Sequence, residues 1–377
     1  MHLPWGRCNN KKKVIMDNLK QVRGHGQSIW LDFLDRRVMD SGELERFIER
    51  DGISGLTSNP AIFAKAIGNS TDYDRDIALL AEKHGDNEDI FQEIAMGDIR
   101  RAADIFAPVY KGAKGRDGFV SLEVSPSLAR DTAGTLAQAK KIWERVDRDN
   151  LMVKIPGTME GLPGIRSCIR AGININVTLL FGLPRYREVT QAYLQGLEDR
   201  LNDGNPIDRV ASVASFFLSR IDVMVDPMLG ERGLDDMVGE VAIACAKGAH
   251  AIHKEVFNGD RFKRLEREGA QKQRLLWAST ATKDPSFRDV KYMEALIGRG
   301  TVNTVTTETL DAFRDHGEVA STLDSGTDGA ARTLERLRDH GINIDDIARD
   351  LELEGIDKFT KPYEKLLEKI GEQRPKS

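Results

Sequence analysis

Cysteine is scarce in this chain: there are three in 377 residues, and Cys8, Cys168 and Cys245 lie far apart. That spacing offers neither a disulfide framework nor a metal-ligand set, and it fits a reducing, cytoplasmic setting. Long apolar runs are also missing. A membrane helix needs about 20 predominantly apolar residues, whereas the richest stretch, Val213 to Leu218, is short and broken by Ser215. No membrane partner is expected. Positive charge is not in excess either: 55 Lys and Arg stand against 60 Asp and Glu, for a net charge of −5 with the signs mixed throughout. Without a basic face to meet a phosphate backbone, nucleic acid is not an expected partner. No linker rich in Pro, Gly or Ser divides the chain, and no repeat or low-complexity segment is seen. These absences predict one elaborated domain over residues 28–377 behind a flexible leader, 1–27, in whose last part a helix begins. The leader's basic cluster, Lys11 to Lys13, has no apolar core behind it, so it does not read as a secretory signal. Met16 reads as an alternative start to Met1. What remains is 40% apolar and 31% charged, enough for a large buried core and a well-solvated surface.

Short β-rich runs alternate with helical periodicity, the pattern of parallel strands joined by crossover helices. Eight strands are predicted: Ser28 to Phe33, Gly55 to Asn59, Gly118 to Val124, Leu151 to Ile155, Gly172 to Leu180, Arg209 to Leu218, Leu275 to Thr280 and Thr301 to Thr306. Between them, Ser41 reads as the N-cap of a helix carrying Leu44, Phe47 and Ile48, with Gly52 closing it. Pro184 opens a helix with the stripe Tyr186, Val189, Tyr193 and Leu197, and Val290, Met293 and Ile297 repeat the spacing. A (β/α)8 barrel of the TIM type is the expected fold. Additional helices are predicted at about 74–110 and about 326–373, the latter with Leu334, Leu337, Leu351, Leu366 and Leu367.

The strand ends carry the chemistry. In Leu151-Met152-Val153-Lys154-Ile155, alternation puts Leu151, Val153 and Ile155 on one face and Met152 with Lys154 on the other. In the fifth strand Asn174, Asn176 and Thr178 oppose the aliphatic residues. The same rule pairs Trp30 with Asp32, Thr57 with Asn59, and Ser121 with Glu123. In a parallel sheet covered by helices, a polar face must line a barrel interior, and barrel enzymes place reacting groups at the C-terminal strand ends. Lys154 lies among apolar neighbours, where burial disfavours its charged form and leaves an amine able to attack a carbonyl. A lysine that merely snorkels to solvent is the competing reading. Asp32 and Glu123 supply carboxylates for proton traffic.

Five blocks then carry a resemblance. Ser28-Ile29-Trp30-Leu31-Asp32, Leu56-Thr57-Ser58-Asn59-Pro60, Val120-Ser121-Leu122-Glu123-Val124, Val153-Lys154-Ile155-Pro156-Gly157-Thr158 and Asn174-Ile175-Asn176-Val177-Thr178-Leu179 resemble, in order and spacing, the signature blocks of the transaldolase family, in its longer bacterial and plant-type branch. The resemblance implies a cofactor-free, metal-free enzyme of the non-oxidative pentose phosphate pathway. It would move a dihydroxyacetone unit from sedoheptulose 7-phosphate or fructose 6-phosphate to glyceraldehyde 3-phosphate or erythrose 4-phosphate. Lys154 would form a Schiff base with the ketose C2. Asp32 would take the C4 hydroxyl proton, and Glu123 would shuttle protons through a water held by Thr178. Thr57, Asn59 and Asn176 would contact the bound three-carbon unit.

The block Ser215-Phe216-Phe217-Leu218-Ser219-Arg220 is similar to the family's sixth-strand block, implying Ser215 on hydroxyls and Arg220 on the phosphate. A salt bridge from Arg220 to Asp222 or Asp226 is the alternative. After the seventh strand, Ser279 matches the family, while Lys283 stands where a second arginine is common. Phe217 favours transfer over release of free dihydroxyacetone, because related aldolases carry tyrosine at the matching place. A class I aldolase, or a silent barrel that binds sugar phosphates, are the rival functions, and a monomer or homodimer is expected. His250 and His253, with Glu255 nearby, lack a third metal ligand. Gly157, Gly161 and Gly164 lack the lysine of a phosphate loop, and Arg261 to Arg274 reads as a solvated helix face.

Overall fold

In the computed structural model, which describes residues 18–374, eight parallel strands close on themselves. Cys8, the Lys11–Lys13 cluster, Met1, Met16 and residues 375–377 lie outside the described residues. The leader is seen only from the helix Asn18–Gly24 onward. The strands are β1 (Ser28–Asp32), β2 (Leu56–Thr57), β3 (Val120–Glu123), β4 (Leu151–Pro156), β5 (Ile175–Leu180), β6 (Ser212–Phe217), β7 (Arg274–Ala278) and β8 (Val302–Val305). They pair in sequence order, and β1 closes the ring against β8 through Ser28↔Val302 to Leu31↔Val305. Every β–α–β crossover returns to the neighbouring strand, so the fold is the (β/α)8 barrel that the alternation predicts.

Register decides which side chains meet. Asp32 pairs with Thr57, while Glu123 pairs with Lys154, which pairs with Asn176. Residues of one parity across adjacent strands point to the same side, so these groups all turn into the barrel near its C-terminal rim. β5 departs from strict alternation. Its register with β6 shifts between Val177 and Leu180, and Leu179 takes a left-handed φ of 60°. Such a bulge twists the strand locally. β5 also starts later than predicted, because the Gly161–Ala171 helix runs up to Gly172, whose φ of 85° ends it in the left-handed conformation glycine tolerates.

Two helix expectations need correction. Ser41 does not open a helix: its backbone N–H closes the turn Arg36–Asp40 by bonding Arg37 O at 3.0 Å, and Asp35 is the N-cap of that turn. Serine satisfies either helix end, and here Asp35 accepts from the Arg37 N–H at 2.8 Å. The Val290–Ile297 periodicity forms only the short helix Lys291–Ala295, although Val290, Met293 and Ile297 are all buried. Elsewhere the patterns fold as read. The Leu183–Asn202 helix buries Tyr186, Val189, Tyr193 and Leu197. The 74–110 insert becomes helices Asp74–Ala81 and Asn87–Gly112, and the C-terminal segment becomes Thr327–Asp339 and Ile344–Gln373.

The stretch Arg261–Arg274 is not wholly a solvated helix face, because Arg274 begins β7 and turns into the N-terminal end of the barrel. Its guanidinium donates to Ser28 Oγ at 2.6 Å, Thr301 O at 2.7 Å and Arg116 O at 3.2 Å, and it lies 3.8 Å from Asp117. Asp117 in turn accepts from Trp30 Nε1 at 2.8 Å and from Ser28 Oγ. This polar plug closes the end of the barrel opposite the rim that carries Lys154 and Asp32. Removing the cation strands a mostly buried carboxylate and several acceptors. Arg274→Met is expected to destabilise the protein by about 3 kcal/mol, measured as a lowered urea midpoint.

Candidate active site

At the C-terminal rim, a cavity of about 220 Å³ is lined by Asp32, Thr57, Asn59, Lys154, Ser215, Phe217, Arg220, Ser279 and Lys283 among other residues. Nine of the twelve side chains predicted for the site therefore line one hollow. Glu123, Asn176 and Thr178 do not line it. Glu123 and Asn176 touch residues that do, and stand in the wall behind them.

Lys154 is 4% exposed, so it does not snorkel to solvent. Its Nζ donates to Glu123 Oε1 at 2.7 Å and to Ser58 O at 2.8 Å, and Ser58 Oγ reaches Glu123 Oε2 at 3.3 Å. Burial pushes the Glu123 carboxyl above its ordinary range, and the Lys154 charge and hydrogen bond pull the other way. An acid raised in this manner can hold or yield a proton beside the amine. Asp32 is also raised by burial, with Lys154 opposing first, then hydrogen bonds from Thr57 and Asn59. Thr57 Oγ1 fixes it, donating to Asp32 Oδ1 at 2.8 Å while lying 2.8 Å from Thr304 Oγ1.

Asn59 divides its side chain between two tasks. Its Oδ1 caps the Pro60–Gly68 helix by accepting from Ile62 N at 3.0 Å, and its amide serves Asp32. Asn176 donates to Ser121 Oγ at 3.1 Å and accepts from Ser215 Oγ at 2.7 Å, so it orients Ser215. Thr178 Oγ1 is buried with no hydrogen-bond partner among the described residues. A buried hydroxyl without a partner is costly unless a water or substrate group meets it.

The Ser219–Gly230 helix begins at the end of β6 and sets Arg220 in its first turn, against the Phe217 ring at 5.7 Å. The alternative salt bridge does not form. Asp222 accepts from Ala242 N at 2.7 Å and Tyr292 Oη at 2.7 Å, and Asp226 accepts from Gly239 N at 2.9 Å. Arg220 Nη1 is buried without a partner among the described residues, and burial lowers its hold on the proton. A guanidinium at a helix N-terminus with a free donor is suited to an anion. Across from it, Ser279 adopts a left-handed φ of 54° and bonds Ser219 Oγ at 2.9 Å, while Lys283 is exposed at the rim.

Eight lining residues were not among those predicted: Ala61, Ala278, Thr280, Ala281, Thr304, Thr306, Lys358 and Phe359. Thr304 shares its face of β8 with Val302, and Asn303 lies on the opposite face, so this strand lacks the clean polar alternation of the others. Lys358 and Phe359 come from the C-terminal helix, and no local pattern announces them. His250 and His253 stack at 6.1 Å, with His253 Nε2 on Gln273 O at 2.9 Å and His250 Nε2 at 3.3 Å from Asp324. Glu255 is taken by Arg187. No cluster of three metal-ligating residues occurs among the described residues, and among them no helix is long and apolar enough to cross a membrane.

The sequence model of a family described as Transaldolase/Fructose-6-phosphate aldolase matches residues 29–370. A protein named Transaldolase from Trichodesmium erythraeum is 44% identical over 373 residues, 96% of this chain and 98% of its own. One of the same name from Saccharopolyspora erythraea is 46% identical over 358 residues, 94% and 97% of the respective chains. A third, from Thermobifida fusca, is 44% identical over 359 residues, 94% of this chain and 98% of its own.

Proposed function

Because this chain belongs to the transaldolase/fructose-6-phosphate aldolase family, we propose that it is a transaldolase, carried by one barrel domain over 28–377. The observation that carries the reading is the buried amine of Lys154, 2.7 Å from Glu123, in a cavity it shares with Asp32 and Arg220. The amine attacks the C2 carbonyl of a ketose phosphate, Glu123 assists loss of water, and an iminium forms. Asp32 takes the C4 hydroxyl proton as the C3–C4 bond breaks. The electron pair runs into the iminium and leaves a bound enamine. Fructose 6-phosphate then yields glyceraldehyde 3-phosphate, and sedoheptulose 7-phosphate yields erythrose 4-phosphate, since three carbons stay behind. An acceptor aldose phosphate reverses these steps. The protonated nitrogen supplies the electron sink for the carbanion.

Thr178 is assigned the water through which Glu123 moves protons, in keeping with its unpartnered hydroxyl. Ser215, oriented by Asn176, meets substrate hydroxyls together with Asn59, and Arg220 with Lys283 and Ser279 meets the phosphate. Incubation with fructose 6-phosphate and erythrose 4-phosphate should yield sedoheptulose 7-phosphate and glyceraldehyde 3-phosphate together. Free dihydroxyacetone, with no seven-carbon product, would instead make the enzyme an aldolase. Loss of a charge-assisted, two-pronged contact costs roughly 2 kcal/mol or more. Arg220→Met should accordingly raise KM for fructose 6-phosphate on the order of 30-fold, read from initial rates, with a smaller change in kcat.

A further inference from the structure

The C-terminal helix Ile344–Gln373 lies close over the barrel mouth. At Gly355 an added Cβ would stand 3.0 Å from Leu179 Cδ2 and 3.5 Å from Phe181, so glycine lets the helix pack against the end of β5. One turn further on, Lys358 and Phe359 line the same cavity as Arg220 and Lys283, with the Phe359 ring 5.8 Å from Lys154 Nζ. Lys358 Nζ is held 2.8 Å from Glu354 Oε2, and the two side chains are 53% and 47% exposed. A pair that exposed adds little to stability, which leaves its place on the wall of a cation-lined cavity unexplained by folding. The charge of Glu354 also favours the protonated form of Arg220. Lys154, Arg220, Lys283 and Lys358 line one hollow against the single lining carboxylate of Asp32, and such an excess of positive charge favours an anion among them.

Resting on the sugar-phosphate reading above, we propose that Lys358 is a further phosphate-binding residue, and that Glu354 is its resident counter-ion, displaced when the substrate's phosphate arrives. The phosphate accepts from Arg220 and Lys358 together, and Glu354 turns to solvent. Lys358 thereby supplies part of the anion grip where the family's second arginine is replaced by the exposed Lys283. The ion-pair exchange also makes the C-terminal helix a discriminator for phosphorylated sugars, since an unphosphorylated sugar has nothing to displace Glu354.

The test uses the full chain and its variants Lys358→Met, Lys358→Arg and Glu354→Gln, with inorganic phosphate titrated by calorimetry and KM measured for fructose 6-phosphate and for fructose. Lys358→Met should weaken phosphate binding about tenfold and raise the ratio of the two KM values by a similar factor. Lys358→Arg should restore most of both, and Glu354→Gln should tighten phosphate binding. Unchanged phosphate affinity in Lys358→Met, equal KM changes for both sugars, or weaker phosphate binding in Glu354→Gln each overturns the proposal. So does a parent protein that binds no phosphate. Failure of the parent to turn over fructose 6-phosphate counts against the transaldolase reading, and the phosphate titrations still decide the role of Lys358.

Discussion

Borohydride reduction of the protein mixed with fructose 6-phosphate is expected to leave a three-carbon adduct on Lys154, located by peptide mass spectrometry. Lys154→Ala should lose the adduct and lower turnover by on the order of 10⁴-fold. The size follows from what is removed. Without the amine there is no covalent intermediate and no electron sink for the C3–C4 cleavage, so the remaining groups can bind the sugar and do little else. The substitution also takes away the partner of Glu123 at 2.7 Å. That carboxyl is already pushed up by burial, and it will neutralise rather than remain a bare buried charge. The variant should therefore stay folded, as its circular dichroism would show. An adduct on a different lysine, or none on folded parent protein, would sink the Schiff-base reading and leave a barrel that only binds sugar phosphates.

Asp32→Asn is expected to lower kcat by about 10²- to 10⁴-fold, the usual yield of a general base, while leaving the borohydride adduct in place. The pH dependence gives a sharper check. Asp32 must be ionised to take the C4 proton, and burial raises its carboxyl above the ordinary range. In the parent, the rate should fall as pH drops through that raised value, so the acid limb lies above pH 3.8, the ordinary value for aspartate. The asparagine variant should lose that limb. Stability runs the opposite way. Between the unfolded and the raised folded value, the folded state holds more protons, so stability falls as pH rises through that window. The ionised Asp32 is thus a cost to the fold at neutral pH, and Asp32→Asn should raise the thermal midpoint near pH 7 as activity falls. A variant that loses activity and also melts earlier would point to Asp32 as a structural residue fixed by Thr57.

Several parts of the site were legible because strand geometry is local. Period-two alternation places Asp32, Thr57, Glu123, Lys154 and Asn176 on the inward face from sequence alone, and the register pairs Glu123 with Lys154 and Asp32 with Thr57. Strand edges were less legible. β5 loses its first predicted residues to the preceding helix, and it bulges at Leu179. Both outcomes depend on how neighbouring elements compete for the same backbone groups. Ser41 misled for a related reason, since its side chain suits either end of a helix and Asp35 was the better-placed acceptor. Arg274 misled because it follows a charged helical run, while its own place is the first residue of a strand whose inward face ends in the Asp117 plug.

The order of polar strand ends, the inward-facing Lys154 and its two carboxylates were determined by the sequence itself. Each is a matter of neighbours within a few residues, and a fixed strand period carries that information without any knowledge of the rest of the chain. Only the tertiary structure decided which groups stand free. Asp222 and Asp226 sit two and six positions from Arg220 and could have neutralised it, but the backbone N–H groups of Ala242 and Gly239 and the Tyr292 hydroxyl claim them, leaving the guanidinium open to the cavity. Likewise, Lys358 lines the cavity and Phe359 stands 5.8 Å from Lys154 Nζ because Gly355 lets the C-terminal helix pack against the end of β5. Packing between segments so far apart in the chain leaves no periodicity to read, because the contact is set by how two finished surfaces fit.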